Sequence, residues 1–289
     1  MELSVNTNVA SIHALSTLLE TNENLFQAQR RVTSGLRVEG PQDNPASYSI
    51  AARMLSDVAG FEAVKIGLGL ADAAVGAAIT AGEAIKDLLI EMKAKAIQAQ
   101  SDTLEDDDRT ALDDEVKTLQ TQIDSIVASA AFNGTNLIEK DAADLSVLAD
   151  PDGNGKIDVA AQSLDRVSLG LVDDSGDESV EKVDLKTGAD EAEASAALIE
   201  TAINTVTNAL ARFGNAAKQL DVQYDFIEGL MDQTNIGVGS LVDADMALES
   251  ALLESMQIKQ ELAVQSLGIA NASPQILLSL YDYDLPSMR

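Results

Sequence analysis

Two stretches at opposite ends of the chain decide the fold. Residues 5–26 read VNTNVASIHALSTLLETNENLF, and residues 248–276 read LESALLESMQIKQELAVQSLGIANASPQI. Both carry apolar side chains at helical spacing among Asn, Gln, Ser and Ala: Val5, Val9, Ile12, Leu15, Leu19 and Phe26 in the first, and Leu248, Leu252, Ile258, Leu262, Ile269 and Ile276 in the second. Such narrow stripes do not stabilise an isolated helix, but they suit a seam between helices. Each terminal helix is therefore expected to pack against a partner.

The composition favours long, thin helical packing over a thick core. Aromatic residues are 3% of the 289 residues, Trp is absent, and the 46% apolar share depends mainly on Ala, Leu, Val and Ile. Lys and Arg number 19 against 48 Asp and Glu, a net charge of −29, so we expect no nucleic-acid partner. Because cysteine is absent, disulfides and thiolate metal sites are excluded.

The N-terminal residues do not have the pattern of a secretion signal. A basic leader followed by an apolar run is missing, and no window of 18 residues is apolar throughout. We therefore expect neither a cleaved signal peptide nor membrane insertion.

The middle of the chain predicts long helices and a small β-rich insert. The cluster of Gly and Pro at 40–45 should end the first helix near Gly35. Helical spacing then covers 46–101, 110–130 and 191–233, whereas four short runs between Asp- and Gly-rich turns read as strands: 145–148, 156–159, 167–171 and 180–185.

The predicted fold class is mainly α, with long antiparallel helices, coiled-coil paired termini and a small β-rich insert between them. We expect inner helices at both ends, two halves of one helical domain next to them, and the insert in the middle. The corresponding segments are 1–45, 46–140, 141–190, 191–240 and 241–289.

Residues that could support catalysis are sparse. The single histidine, His13, lies inside the first helix, so neither a Ser-His-Asp triad nor a two-histidine zinc site can form around it. Acidic pairs such as Asp113-Asp114 and Asp173-Asp174 read as solvated faces or turns, and no strand precedes Gly67-Leu68-Gly69. We expect no enzyme activity and no cofactor.

One loop resembles a calcium-binding loop. Oxygen ligands stand at its positions 1, 3, 5 and 9, which are Asp150, Asp152, Asn154 and Asp158, with Gly155 at position 6. Position 12 is Ala161, where such loops carry a bidentate Glu, and Asp, Asn and Gly also suit a hairpin turn. A calcium-responsive surface protein and a plain turn both remain open.

Six motifs in order, at both ends of the chain, resemble those of bacterial flagellin. They are Val5-Asn6-Thr7-Asn8, Thr33-Ser34-Gly35-Leu36-Arg37-Val38, Asp43-Asn44-Pro45-Ala46, Phe132-Asn133-Gly134-Thr135-Asn136-Leu137, the run Val242-Asp243-Ala244-Asp245-Met246-Ala247-Leu248-Glu249, and Ala270-Asn271 with Gln275. The resemblance covers well over half of the sequence.

The resemblance implies a structural subunit that polymerises into the extracellular flagellar filament for motility. Flagellin termini fold on assembly into a coiled-coil inner tube, the long helices beyond them form an outer tube, and the middle faces solvent. The implied partners are other flagellin subunits, an export chaperone, and hook-associated and cap proteins, with export that needs no cleaved signal peptide.

Two prolines depart from the flagellin pattern. Pro41 and Pro45 are more reminiscent of hook–filament junction proteins, which share flagellin-like ends. A junction adaptor is therefore the alternative interpretation, although the C-terminal Ala270-Asn271 and Gln275 favour flagellin.

The residues expected to carry assembly fall into two sets. The resemblance places Gly35, Arg37, Asp243 and Asp245 at the joint between the inner and outer layers, with Arg37 as a charge partner for the two Asp residues. The packing residues of the inner layer are expected to be Val5, Val9, Ile12, Leu15, Ile258, Leu262 and Ile269.

A further hypothesis concerns an innate immune receptor that binds many flagellins through an Arg-x-Arg-Glu-Leu helix. The equivalent residues here are Glu91, Lys93 and Ala94 in place of the two arginines and the glutamate. A charge reversal at a contact can cost several kcal/mol, so we expect this protein to escape that receptor.

Overall fold

The protein consists of five helices and one small sheet in the part of the chain that the structure describes. This structure is a computed structural model; it describes residues 7–172 and 182–283, with the backbone alone from residue 275 onward. The elements are α1 (Val9–Ser34), α2 (Pro45–Ala99), α3 (Asp106–Ser129), β1 (Leu145–Leu148), β2 (Lys156–Val159), α4 (Ala189–Val242) and α5 (Met246–Tyr283). β1 and β2 pair antiparallel, with Leu145 opposite Val159. The predicted mainly α fold class is confirmed.

Backbone chemistry sets the end of α1 and the start of α2. Gly35 has φ +72°, and its N–H donates to the Arg31 carbonyl at 2.9 Å. This left-handed conformation costs a residue with a Cβ about 1–2 kcal/mol, so glycine is favoured where the helix ends. Nine residues later, the Asn44 side chain accepts a hydrogen bond from the Ser47 N–H at 3.1 Å and caps α2.

Two elements differ from the predictions. The helix predicted to end near Gln233 continues to Val242, because Val238 and Val242 are buried against Val38 and Ala51. That packing offsets the low helix propensity of the intervening glycines.

The second difference is at 167–171, which the structure shows as a turn instead of a strand. Asp165 Oδ2 accepts hydrogen bonds from the backbone N–H groups of Val167 and Ser168, as Asp does in turns. The fourth predicted strand lies partly outside the described residues, and its described part, 182–185, is irregular.

The chain forms two compact units. One comprises residues 57–233, and the other comprises the chain up to Ser56 and from Thr234 onward. The helices α2 and α4 each contribute a segment to both units.

Helices α2, α3 and α4 build the core of the 57–233 unit through stripes of apolar residues spaced alternately three and four apart. This spacing keeps one face of each helix directed at its neighbours. The buried stripes include Val64, Leu68, Ala71, Val75 and Ala78 of α2, Leu112, Val116, Leu119 and Ile123 of α3, and Ile199, Ala202, Val206, Ala209 and Phe213 of α4.

The β1–β2 hairpin packs against both long helices of this unit. A Cβ added at Gly60 of α2 would lie 2.6 Å from Pro151 Cβ, so only glycine permits this approach. On the α4 side, the Gln223 Nε2 donates to the Ala149 carbonyl at 2.8 Å. The hairpin therefore spans from α2 to α4.

Side chains satisfy the backbone groups at the C-terminal ends of α2 and α3. The buried Arg109 donates to the carbonyls of Ala99 and Ser101. Asn136 Nδ2 donates to the Val127 carbonyl at 2.7 Å, while its Oδ1 accepts from the Ile138 N–H at 3.0 Å. Terminal carbonyls of a helix lack partners within the helix, so these contacts stabilise both ends.

By length and composition, α2 meets the criterion for a membrane span. One 18-residue window has a mean hydropathy of 1.5, and 33% of it is buried within the structure. Core helices of globular proteins meet the same criterion, and α2 contributes the core stripe of the 57–233 unit.

A buried carboxylate joins α3 to the segment that precedes α4. Asp113 Oδ1 accepts a hydrogen bond from the Leu185 N–H at 3.2 Å, and Oδ2 lies 2.8 Å from Lys186 Nζ and 3.1 Å from Lys117 Nζ. Burial raises the pKa of Asp113, but the hydrogen bonds from Lys186, Leu185 and Lys117 together outweigh it and hold the pKa below the usual 3.8. The charged form therefore stabilises the fold.

We expect Asp113→Asn to lower the free energy of unfolding at pH 7 by about 1–3 kcal/mol, since it removes a buried, hydrogen-bonded charge. A lowered folded-state pKa contributes stability above the unfolded value and loses it as the pH falls through the folded value. The difference from the unsubstituted chain should therefore shrink below pH 3.8. Urea denaturation at several pH values measures it, and Asp114→Asn, on the exposed face next to Asp113, is the control. An undiminished difference in acid would contradict this role.

Candidate assembly interface

The terminal helices α1 and α5 pair with each other. Most of their buried and half-buried residues follow an alternation of three and four: Ser11, Ala14, Leu18, Thr21, Leu25, Ala28 and Val32 on α1, and Glu249, Leu253, Met256, Gln260, Ala263, Leu267, Ala270 and Pro274 on α5. This is the heptad spacing of a coiled-coil seam. The predicted coiled-coil pairing of the termini is confirmed, and small residues in the seam allow a close approach of the two helices.

Polar contacts along the seam set its direction and register. Arg31 Nη1 lies 3.2 Å from Glu249 Oε1, Gln260 Nε2 donates to Asn22 Oδ1 at 2.7 Å, and Ser11 Oγ donates to Asn271 Oδ1 at 2.7 Å. As α1 is followed toward its N-terminus, the partners advance along α5, so the helices run antiparallel. A polar pair in an apolar seam disfavours other registers, because a shift would leave its groups unpaired.

The Arg31–Glu249 pair joins the last turn of α1 to the first turn of α5. The Glu249 side chain is 6% exposed and lies against the Arg31 guanidinium, whose side chain is 29% exposed. The positive group lies at a helix C-terminus and the negative group at a helix N-terminus, where each interacts favourably with the helix dipole.

The aliphatic residues predicted to carry packing lie outside this seam. Their exposed fractions in the single chain run from 47% for Leu15 to 74% for Ile269, with Val9, Ile12, Ile258 and Leu262 between these values. Val5 lies outside the described residues. Each terminal helix therefore has two stripes: one forms the seam within the chain, and a more apolar one stays exposed.

The residues predicted for the joint are brought together where α1 and α4 end. The Ala244 N–H donates to the Gly35 carbonyl at 2.9 Å, and the Arg37 N–H donates to the Val242 carbonyl at 2.7 Å. A small cluster beneath them buries Val38 with Val238. The loop after α1 is thus held by backbone hydrogen bonds to the segment between α4 and α5.

Arg37 does not pair with the two Asp residues as predicted. Its Nη2 donates to the Leu241 carbonyl at 2.7 Å, and no ion pair joins it to Asp243 or Asp245 among the described residues. The carbonyls at the end of α4 lack partners within the helix, and a guanidinium near a helix C-terminus satisfies them.

Asp245 has a different role, as the N-cap of α5. Its Oδ1 accepts hydrogen bonds from the N–H groups of Ala247 at 2.9 Å and Leu248 at 3.2 Å. The second predicted residue, Asp243, forms an isolated bridge with Leu36. Asp245 and Asp243 therefore both stabilise the backbone at the joint, Asp245 through its side chain and Asp243 through its main chain.

A turn before α2 uses the carboxylate of Asp43 in the way that the start of α5 uses that of Asp245. Asp43 Oδ2 accepts hydrogen bonds from the Glu39 and Gly40 N–H groups at 3.1 and 3.2 Å. These two backbone bonds lower the pKa of Asp43.

The residues predicted to be equivalent to the receptor-binding helix lie on α2. Glu91 and Ala94 are exposed, and Lys93 Nζ lies 3.1 Å from Glu200 Oε2 of α4. The face therefore presents an acidic residue and no arginine.

The predicted calcium loop forms the turn between β1 and β2. Asp150 accepts hydrogen bonds from the Asn154 N–H at 3.0 Å and the Gly155 N–H at 2.6 Å, whereas Asp158 lies in β2 opposite Ser146. Over the described ranges, no group of three or more His, Cys, Asp or Glu is arranged to hold a metal ion. The positions of Asp150 and Asp158 agree with the turn interpretation, and no observation here favours calcium.

The sequence reading missed the seam residues and the Arg31–Glu249 pair. The sequence does contain a pattern that indicates the seam: residues from Ser11 to Val32 and from Glu249 to Pro274 can be followed at spacings that alternate between three and four. Ser, Thr, Gln and Glu occupy several of those positions, so a search for large aliphatic side chains selects the neighbouring stripes.

We expect Asp245→Ala to destabilise the first turn of α5 by about 0.5–2 kcal/mol, the usual cost of losing an N-cap. The measurement is amide hydrogen exchange at 247–250, which should become faster. Asp245→Asn keeps an acceptor oxygen and should retain most of the protection. Equal exchange in Asp245→Ala and the unsubstituted chain would show that the cap is dispensable.

Comparison with known proteins agrees with this architecture. The bacterial flagellin N-terminal helical region matches residues 5–143, and the bacterial flagellin C-terminal helical region matches residues 196–281. The chain is 36% identical to the flagellin FljK of Caulobacter vibrioides over 96% of this chain and 98% of the relative. It is 35% identical to a flagellin of Brucella melitensis over 96% of this chain and 99% of the relative.

A solved structure shares the fold alone. The Vibrio parahaemolyticus protein assigned as flagellar hook-associated has a TM-score of 0.58 at 14% identity, over 70% of this chain and 100% of that chain. The full-length sequence similarity is to flagellins, so it favours flagellin over the junction adaptor. Members of this family are structural, non-enzymatic proteins that polymerise with other flagellin subunits. This chain belongs to the flagellin family and is a structural subunit of the extracellular bacterial flagellar filament.

Proposed function

We propose that the exposed aliphatic stripes of α1 and α5 are the surfaces through which neighbouring subunits pack in the inner layer of the filament. The supporting observation is that Val9, Ile12, Ile258 and Leu262 are more than half exposed in the single chain. Burial of an aliphatic side chain stabilises a contact by about 1.5–3 kcal/mol. Burial of such a stripe on each terminal helix therefore provides a large favourable free energy for filament assembly.

The segment roles follow from the same proposal. Residues 1–45 and 241–289 form the inner tube and the joint, with Gly35, Arg37, Asp243 and Asp245 at the joint. Residues 46–140 and 191–240 form the outer helical layer, and 141–190 is the solvent-facing insert. The joint is supported by its backbone hydrogen bonds, which tie the loop after α1 to the segment before α5.

The same exposed stripes also bear on how the chain is exported and delivered to the filament. The chain is exported without a cleaved signal peptide, inserts into no membrane, and is bound before assembly by an export chaperone that covers the exposed stripes of α1 and α5. A cap protein at the filament tip then receives each subunit. Because exposed aliphatic stripes promote premature association, a chaperone has a physical reason to bind there.

Electron microscopy of the purified chain with sheared filament seeds tests the polymerisation. The full chain should form long filaments, and a truncation lacking residues 1–36 should not. Ile12→Asn and Leu262→Asn should each raise the critical concentration about tenfold or more, since each removes at least about 1.4 kcal/mol of burial.

His13→Asn is the matched control, because His13 is exposed on α1 beside Ile12. Its critical concentration should stay within about threefold of the unsubstituted value, a difference of less than about 1 kcal/mol. Short caps or persistent monomers from the full chain would favour the junction adaptor. Normal polymerisation of Ile12→Asn and Leu262→Asn would contradict the stripe assignment.

We also propose that this flagellin escapes the innate immune receptor that binds an arginine-bearing helix. The exposed Glu91 supports this, because an acidic side chain in place of arginine sets like charges against each other at the contact. In a receptor reporter assay, the unsubstituted chain should be inactive, and Glu91→Arg combined with Ala94→Glu should gain signal. Gln98→Arg, an exposed site on the same helix, controls for added charge. Activation by the unsubstituted chain equal to that of an arginine-bearing flagellin would refute the proposal.

A further inference from the structure

The 57–233 unit carries an open apolar groove beside α2. Its volume is about 440 Å³, and it lies between α2, the 132–135 turn and the β1–β2 hairpin. The floor on α2 consists of small residues, including Gly60, Ala63 and Gly67, and the half-exposed Leu70 and Leu148 form parts of its wall. A groove of this size accepts one or two large apolar side chains.

No charged residue lines this groove. The chain carries 48 acidic residues and a net charge of −29, so an uncharged apolar surface is conspicuous. Two copies of so acidic a chain repel each other across most of their surfaces. They approach at the lowest electrostatic cost where both surfaces lack charge, and charge depletion is typical of the centre of an interface.

An exposed apolar pair lies on α4 of the same unit, with the charged Lys218 and Asp225 beside it. Six exposed residues follow alternate spacings of four and three: Asn215, Gln219, Val222, Phe226, Gly229 and Gln233. Val222 is 62% exposed and Phe226 is 56% exposed, one helical turn apart. We call this set the α4 outer stripe, and its two apolar residues form a protruding pair.

The protruding pair points away from the helix that carries the groove. Tyr224 and Glu228 face α2, because Lys65 Nζ lies 4.7 Å from the Tyr224 ring centroid and 2.7 Å from Glu228 Oε1. Val222 and Phe226 are each two residues from Tyr224, which is a rotation of about 200° around the helix. The pair therefore cannot enter the groove of its own chain.

A concave apolar surface on one face and a protruding apolar pair on another suit a head-to-tail contact between copies. A contact between two different surfaces repeats from copy to copy and, when it does not close into a ring, generates a helical filament. A two-fold contact would instead require one self-complementary surface. The arrangement in this unit matches the first type.

We propose that the groove beside α2 of one subunit receives Val222 and Phe226 of a neighbouring subunit in the filament. The inference rests on the polymerisation of the chain, and it assigns a contact in the 57–233 unit in addition to the terminal helices. The occupant is a second copy, because the groove is uncharged and apolar, the protruding pair is apolar, and both are present on every subunit.

Disulfide trapping tests the contact, since the chain has no cysteine of its own. The variant carries Ala63→Cys in the groove and Val222→Cys on the α4 outer stripe, which leaves Phe226 in place. After seeded polymerisation, mild oxidation with copper phenanthroline should give a ladder of covalent oligomers on a non-reducing gel. The same protein oxidised as a monomer should give no ladder.

The matched control combines Val222→Cys with Thr110→Cys, an exposed position on α3 outside the groove. It should polymerise and give no ladder. Filaments of the Ala63→Cys/Val222→Cys variant without a ladder, or an equal ladder from the control, would overturn the proposal and leave a small apolar molecule or another protein as the occupant. Failure of the unsubstituted chain to polymerise would contradict the filament assembly itself.

A charge substitution gives an independent measurement. Phe226→Asp should raise the critical concentration at least tenfold, whereas Thr207→Asp, on an exposed part of α4 outside the stripe, should change it less than threefold. Far-UV circular dichroism of both variants should match the unsubstituted chain. An unchanged critical concentration for a folded Phe226→Asp would overturn the proposal.

Discussion

Helix pairing through residues spaced alternately three and four apart is the constraint on which the rest of this structure depends. The α1–α5 seam follows that spacing, and so do the buried stripes of α2, α3 and α4. With 3% aromatic residues, the chain has few bulky side chains for a thick core. Its stability comes instead from the close approach of small side chains over many helical turns, because dispersion contacts are individually weak but add up to a large stabilisation.

Polar groups decide which of the possible helix pairings occurs. The Arg31–Glu249 pair and the Asn22–Gln260 hydrogen bond fix one register of a seam whose small apolar residues would tolerate several. In the 57–233 unit, Asp113 has the same function, because its partners Leu185 and Lys186 lie just before α4. Backbone hydrogen bonds at Gly35 and Val242 then hold the joint. Acidic side chains elsewhere stay solvated, where screening limits their repulsion to about 8 Å at physiological ionic strength.

The difference between the expected and observed packing residues on α1 has a physical cause. Val9, Ile12 and Leu15 belong to the stripe of α1 in which large apolar side chains recur most regularly, and a rule based on hydrophobicity selects that stripe. The seam instead uses the stripe that contains Ala14, Thr21 and Ala28, because small residues let two helices approach closely and Thr can satisfy its hydroxyl within the helix, as Thr21 does with the Thr17 carbonyl. The side chains of Val9, Ile12 and Leu15 remain exposed on the single chain.

The sequence by itself determined the helical class, the ends of α1 and α2, the pairing of the termini and the flagellin family. Those features depend on local chemistry, such as glycine at a left-handed position, or on motifs read in order along the chain. Only the tertiary structure decided which stripe of each helix forms the seam, that Arg37 binds the Leu241 carbonyl instead of an Asp, that α4 continues to Val242, and that a groove opens beside α2. Each of these features depends on contacts between residues that are far apart in sequence. The spacing of residues along one helix does not show which of the possible distant contacts forms.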